Sequence, residues 1–240
     1  MKSCYSVCAA TVVAMLFSVN AAAATSSWSY EHPKVTSGEV QIRTACMMPV
    51  EGKLSKLGMK GREGMTKEAE TWSTTLQSVV ESHLKLAGVS LIAAPGTSDS
   101  NASDEELRQL QLRLQEKYDG ISAQIESKPK EIGKSRYTLG DEVALLPCTA
   151  KADVLIFVGG QGQVLTGGKA TFGFLVAGPS SSMAHLALTM VDAKSGEILA
   201  FVRMDNAGNF VADSEKAYGK ALDKQFNKMK IGTTGNSAKK

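Results

Sequence analysis

Two stretches decide the fold: Ala152–Val164, ADVLIFVGGQGQV, and Met183–Asp205, MAHLALTMVDAKSGEILAFVRMD. Asp153–Val158 is a run of β-branched, aliphatic and aromatic residues that the pair Gly159-Gly160 closes. Met183–Val191 alternates, with Leu186, Leu188 and Met190 on one face and His185, Ala187, Thr189 and Val191 on the other. Ile198–Met204 is a third run. Between the last two, DAKSGE (Asp192–Glu197) puts Asp, Ser and Gly where a tight hairpin needs them. Strand, long loop, strand, tight turn, strand is an antiparallel meander, and the helical segments must pack on it. The expected fold is α/β (α+β): a mixed sheet of about five strands, the last three a meander, with helices against it.

Working outward, VQIRTACMMPV (Val40–Val50) reads as a first strand ended by Pro49. Glu51–Gly64, with its glycines and lysines, reads as a surface loop. Thr66–Ala87 is a helix with its apolar stripe at Trp72, Leu76, Val79, Val80 and Leu84, stopped by Gly88; His83 lies at the stripe's boundary. Val89–Ala93 reads as a second strand. Ser103-Asp104-Glu105-Glu106 opens a second helix with a capping-box pattern, and Lys128-Pro129 breaks it. A shorter helix is expected over Thr138–Leu146 and a last one over Asp213–Met229, with Tyr218, Leu222, Phe226 and Met229 facing inward. Domain boundaries follow: a signal peptide over 1–24, a lead-in over 25–37, a single α/β domain over 38–231 and a disordered tail over 232–240.

The first residues read as an export signal. Lys2 supplies a minimal positive start, Val7–Val19 an apolar region shorter than the roughly 20 residues of a spanning helix, and Ala21–Ala24 small residues for cleavage. The expectation is cleavage near Thr25 and a periplasmic location, with no transmembrane segment in the mature chain. Cys4 and Cys8 leave with the signal, and no cysteine stands where a lipoprotein carries its acylated residue. Cys46 and Cys148 are then the one pair left for a disulfide.

Among the 240 residues the hydrophobic share of 43% can build a core, and the net charge of +3 is too small to argue for nucleic acid. The run GGQGQVLTGGKAT invites a phosphate-loop reading, but a Walker loop needs glycine at Gln163 and a hydroxyl at Ala170. His32, His83 and His185 are scattered, without zinc-ligand spacing. No serine sits in a nucleophile elbow, and the acids Asp192, Glu197, Asp205 and Asp213 read as turn or strand-end residues. No catalytic residue, cofactor or metal site is expected. The loop over Gly159–Ser182 carries seven glycines around Phe172, Phe174, Leu175 and Val176, which suits partner docking, with an extra strand or core plug as the alternative.

The order of elements resembles a known group. LQSVVESHLKLAGVSLI, then KADVLIFVGG, then HLALTMVDAKSGEILAFVRM and a closing helix are similar to the periplasmic α/β domain of the curli-secretion channel subunit. The penicillin-binding-protein activator lipoproteins share that domain. The resemblance covers roughly Val40–Lys230 and implies a non-catalytic binding or assembly factor of the cell envelope with a protein partner. It carries over no functional residue. The alternatives are an enzyme of unrecognised class and a small-ligand-binding periplasmic protein.

Overall fold

A computed structural model describes residues 25–58, 60–92, 102–165, 182–207, 210–211 and 213–232. Its centre is one mixed sheet of eight strands, in the order β1-β8-β7-β6-β2-β5, with a β3–β4 hairpin attached to β6. The strands are β1 (Thr25–Glu31), β2 (Thr44–Met47), β3 (Glu51–Gly58), β4 (Gly61–Gly64), β5 (Ser90–Ile92), β6 (Val154–Leu165), β7 (Ser182–Asp192) and β8 (Ile198–Ala207). The meander β6-β7-β8 is antiparallel, whereas β2 runs parallel to β5 and β6, and β3 parallel to β6. The α/β class and the meander stand as read, but the sheet has eight strands rather than about five.

The additional strands come from segments too polar or too glycine-rich to show strand periodicity. TSSWSYE, expected as a lead-in, is β1 and pairs along its whole length with β8. EGKLSKLG and GREG, expected as a loop, form a hairpin whose first strand pairs with Glu51 opposite Gly159 through Leu57 opposite Leu165. Gly159–Leu165, expected at the start of a loop, extends β6 to twelve residues.

Helix α1 is a single turn (Pro33–Thr36). The long helices are α2 (Thr66–Leu86), α3 (Ala102–Ser127), which continues through Gly120, and α4 (Ser214–Lys228). Thr138–Leu146 forms only a 3-10 segment over Asp141–Leu145. Gly88, at φ +87°, ends α2 in the left-handed conformation that glycine adopts without strain.

The sheet is covered on both faces. Trp72, Leu76, Val79, Val80 and Leu84 of α2, with Tyr218, Leu222 and Phe226 of α4, bury the face presenting Val154, Ile156, Val158, Leu186, Leu188, Met190 and Val202. On the opposite face, Leu110, Leu114, Tyr118 and Ile125 of α3 and the segment from Ile132 to Ala152 cover Leu155, Phe157, Val191 and Phe201. The second face of β7 is therefore also interior at its Val191 end. Tyr118 stacks on Phe157 with ring centroids 4.5 Å apart, and its hydroxyl shares a 2.9 Å hydrogen bond with Thr189. Burial pushes that phenol's pKa up to about 12.

Two polar clasps fix the register. Asp153 Oδ2 accepts from the Arg43 and Thr44 amides at 2.9 and 2.8 Å and from the Thr44 hydroxyl at 2.9 Å, tying the start of β6 to β2. Asp192 Oδ1 accepts from the amides of Lys194 and Ser195 in the β7–β8 turn. Gly196 closes that turn at φ +71°, and a Cβ there would lie 2.1 Å from the Gly140 carbonyl oxygen.

Candidate functional site: a polar cleft at one end of the sheet

Past Phe157 the α3-side face of the sheet changes character. In β6 it presents Gly159, Gln161 and Gln163, in β7 His185 and Met183, and in β8 Arg203 and Asp205. The pairing aligns them in rows across the strands. One row reads Glu51, Gly159, Ala187, Arg203, Trp28; the next reads Lys53, Gln161, His185, Asp205, Ser26. The polar side of α3, with Gln115, Asp119, Ser122 and Glu126, borders the first row, and the same residues line a recess there. A cleft of about 810 Å³ continues from it over Lys53, Gln161, Gln163, His185, Arg203 and Asp205 to Arg62 of the hairpin.

Along the two rows the charges are paired, while Arg62, at the hairpin end of the cleft, has no ion-pair partner among the described residues. Arg203 donates from Nη1 to Glu126 Oε2 at 2.5 Å and from Nε to Asp205 Oδ1 at 2.9 Å. Its guanidinium is thus held between a helix carboxylate and a strand carboxylate. Lys53 Nζ lies 3.5 Å from Glu51 and 3.8 Å from Asp119. His185 is half-buried, and its pKa is lowered first by burial and then by the charge of Arg203, so its ring is neutral at pH 7.

Glycines on the other side of β6 make the strand possible. A Cβ on Gly160 would lie 2.7 Å from Trp72 Cη2, and one on Gly162 2.6 Å from both Leu54 Cδ2 and Phe210 Cε2. The GGQGQ run is therefore a strand whose glycines admit Trp72 and Phe210 to the core while its glutamines face the cleft.

The other residues singled out in the sequence fall as follows. Cys46 and Cys148 are bonded, with Cα atoms 5.8 Å apart, and both are buried. Phe172, Phe174 and Leu175, the signal segment 1–24 and residues 233–240 of the tail lie outside the described residues. His83, expected at a boundary, is buried between α2 and α4, with Nδ1 2.6 Å from Asp223 Oδ1 and Nε2 2.9 Å from Glu215 Oε1. His32 is buried as well, 2.8 Å from the Ser135 hydroxyl and 3.4 Å from Glu197.

A serine, a histidine and an acid in contact invite a hydrolase reading, which the ring rejects. His32 Nδ1 accepts the Lys34 amide hydrogen, so Nε2 carries the proton and donates toward both Ser135 and Glu197. A ring that donates to the serine cannot take its proton. Glu197, read as a strand-end acid, does stand just before β8 but is half-buried, with Lys34 Nζ 2.7 Å away. Asp205 belongs to the cleft, and Asp213 caps α4 by accepting the Lys216 amide hydrogen.

Lys53, Glu126, Gln161 and Arg203 were not singled out in the sequence. The usable signal was the alternation of glycine and glutamine over Gly160–Gln163, which has the period of a strand rather than of a turn.

No protein-family model matches the chain, and a search of curated proteins finds no match. Among solved structures, the chain is similar to the PelC dodecamer from Paraburkholderia phytofirmans, at 10% identity and TM-score 0.36, over 83% of this chain and 96% of that one. A single-substitution variant of the same dodecamer gives 9% identity and TM-score 0.38, over 88% and 100%. The likeness is distant. At those values it carries no argument about this chain's function.

Proposed function

We propose that this chain is an exported, non-catalytic binding or assembly factor of the bacterial cell envelope, working in the periplasm and holding its partner or ligand in the cleft beside α3. The observation that carries this reading is the pairing of the charges along the cleft's two central rows. Arg203 is occupied by Glu126 and Asp205, Lys53 is near Glu51 and Asp119, and His185 is neutral. Such groups recognise by hydrogen bonding and fixed shape. The buried Cys46–Cys148 bridge supports export, because disulfides persist in oxidising compartments. The resemblance to the curli-secretion and activator-lipoprotein domains supports a role in envelope assembly.

A carboxylate hydrolase is the second reading, since Glu126 and Asp205 share one cleft. Each gives one oxygen to the same Arg203, Glu126 Oε2 and Asp205 Oδ1, and keeps the other for a ligand, so the fate of a captured species decides between the two readings.

The test is capture from a periplasmic and envelope extract by the full-length exported protein, with Gln161→Ala/His185→Ala as control. A species retained by the wild type, lost from the variant and chemically unchanged is the expected result. Conversion of that species on standing would overturn the non-catalytic reading, and equal retention by both proteins would remove the cleft from it.

A further inference from the structure

The geometry points to the ligand class: we infer that the cleft binds a neutral, hydroxyl-rich chain, a short stretch of glycan. This rests on the binding reading above and goes further by naming the chemistry.

The first observation is the row Lys53, Gln161, His185, Asp205, Ser26. It places one polar side chain on each of five adjacent strands. Adjacent strands lie about 4.8 Å apart, so the row spans about 19 Å in nearly even steps. A ligand that satisfies it is extended, lies across the strands and repeats polar groups at short intervals.

The second observation is which groups are unspent. Among the described residues, the amides of Gln161 and Gln163 and the ring of His185 make no hydrogen bond within the protein. A side-chain amide offers donor and acceptor side by side, as does a neutral imidazole across its ring. A hydroxyl is also both donor and acceptor, so a run of hydroxyls can meet this row without an unmatched group.

Charge narrows the class. Arg62 is an unpaired cation of the cleft among the described residues, but it stands at the hairpin end, off the row. Along the row an anionic chain would have to share Arg203 with Glu126 and Asp205, and a cationic one would have to draw those carboxylates away from Arg203. Either exchange desolvates charges already paired. A neutral chain leaves the pairs intact and uses their remaining lone pairs.

A peptide fits less well. Strand addition needs a free edge; β6, β7 and β8 on the cleft floor are each paired on both sides, and the edge strands β1 and β4 stand at its two ends, where an added strand would run along the strands and not across the row. Peptide anchoring also needs apolar pockets, and among the described residues the one exposed large apolar side chain lining the cleft is Met183.

The experiment is titration of the exported protein, followed by calorimetry and by amide NMR. The probes are a neutral glucan hexamer, a neutral N-acetylated chitin hexamer, a cationic chitosan hexamer, an anionic galacturonate hexamer and an unstructured Gly/Ser peptide. The expected result is binding of at least one neutral hexamer, tighter than its dimer and insensitive to salt. Gln161→Ala/His185→Ala should weaken it about tenfold or more at an unchanged melting temperature, the loss expected for two hydrogen-bonding side chains. Preference for a charged hexamer, with affinity falling as salt rises, would overturn the inference in favour of an ionic site. Preference for the peptide would overturn it in favour of a peptide groove. If no hexamer binds while the extract capture still depends on Gln161 and His185, the glycan assignment falls and the binding reading stands. If the capture fails as well, both fall.

Discussion

The two faces of β6 show how one sequence can finish a core and leave a cleft open. On the α2–α4 side, Val154, Ile156, Val158, Gly160 and Gly162 are all buried. The last two are glycine because Trp72 and Phe210 occupy the space where a side chain would stand. On the α3 side, Leu155 and Phe157 are buried, but Gln161 is exposed and Gln163 half-buried. Both faces begin as core. Only one is covered to the end, because α3 reaches the sheet with Tyr118 and Ile125 and turns Asp119, Ser122 and Glu126 toward the open end. A glycine-rich run can thus mark tight packing on one face and a polar surface on the other. Looseness is not implied.

The largest test removes the covalent support under the incompletely covered face. Cys46 of β2 and Cys148 both belong to the α3-side core, and their bond closes a sequence separation of 102 residues. Loss of such a bridge costs about 2–5 kcal/mol, with the upper end given by the chain-entropy account of a loop this long. Cys46→Ala/Cys148→Ala should therefore lower the denaturant midpoint more than any other change discussed here, and the native protein should show no titratable thiol in denaturant without reductant. An unchanged midpoint would mean that α3 and the 3-10 turns hold this face without the bridge.

The next test sets neighbouring positions of one strand against each other. Gly160→Ala and Gly162→Ala push a methyl group against Trp72 and Phe210, and overpacking of that kind costs about 1–3 kcal/mol. Gln161→Ala and Gln163→Ala alter only the cleft and should stay within about 0.5 kcal/mol of the wild type. Chemical denaturation of the four single variants reads the contrast directly. Equal effects on both faces would show that the glutamines also serve the core.

The sequence was most legible where one residue type has one meaning. The β6–β8 meander, the stripe of α2, the Asp192–Gly196 turn and the Cys46–Cys148 pair all stand in the structure as read. It was least legible where polar residues form strands because of what lies beside them. TSSWSYE has little apolar alternation and becomes β1 by pairing with β8 and receiving Gln225 and Lys228 of α4 at Ser27 and Ser29. EGKLSKLG is a strand because β6 extends past β2 and exposes an edge beside it. The cleft was invisible for the same reason: Lys53, Glu126 and Arg203 are far apart in sequence and meet only through the register of three strands and the placement of α3.

The last and smallest effect contrasts the two faces through their histidines. His83, on the closed side, has both ring nitrogens engaged by Glu215 and Asp223, and a Cβ on Gly219 would come within 2.8 Å of its Nε2. Burial works against its charge, but the hydrogen bonds to Asp223 and Glu215 outweigh it, and the pKa is raised. His185, on the open side, is lowered by burial and by Arg203. The two rings should therefore titrate on opposite sides of the ordinary histidine value of about 6.5. The signs for stability follow. His83, raised on folding, contributes stability that is fully present below its unfolded pKa and is lost as pH rises through its folded one. His185, lowered on folding, contributes stability that is present above its unfolded pKa and is lost as pH falls through its folded one. Both carboxylates beside His83 are more than half exposed, which screens the first effect and keeps it modest. The expected outcome is imidazole NMR titrations split about 6.5, with His83→Gln flattening the fall in denaturant midpoint above that pH and His185→Gln flattening the fall below it. Coincident titrations would show that the faces do not differ electrostatically, and a His83→Gln profile parallel to the wild type would remove the Glu215–His83–Asp223 clamp as the cause.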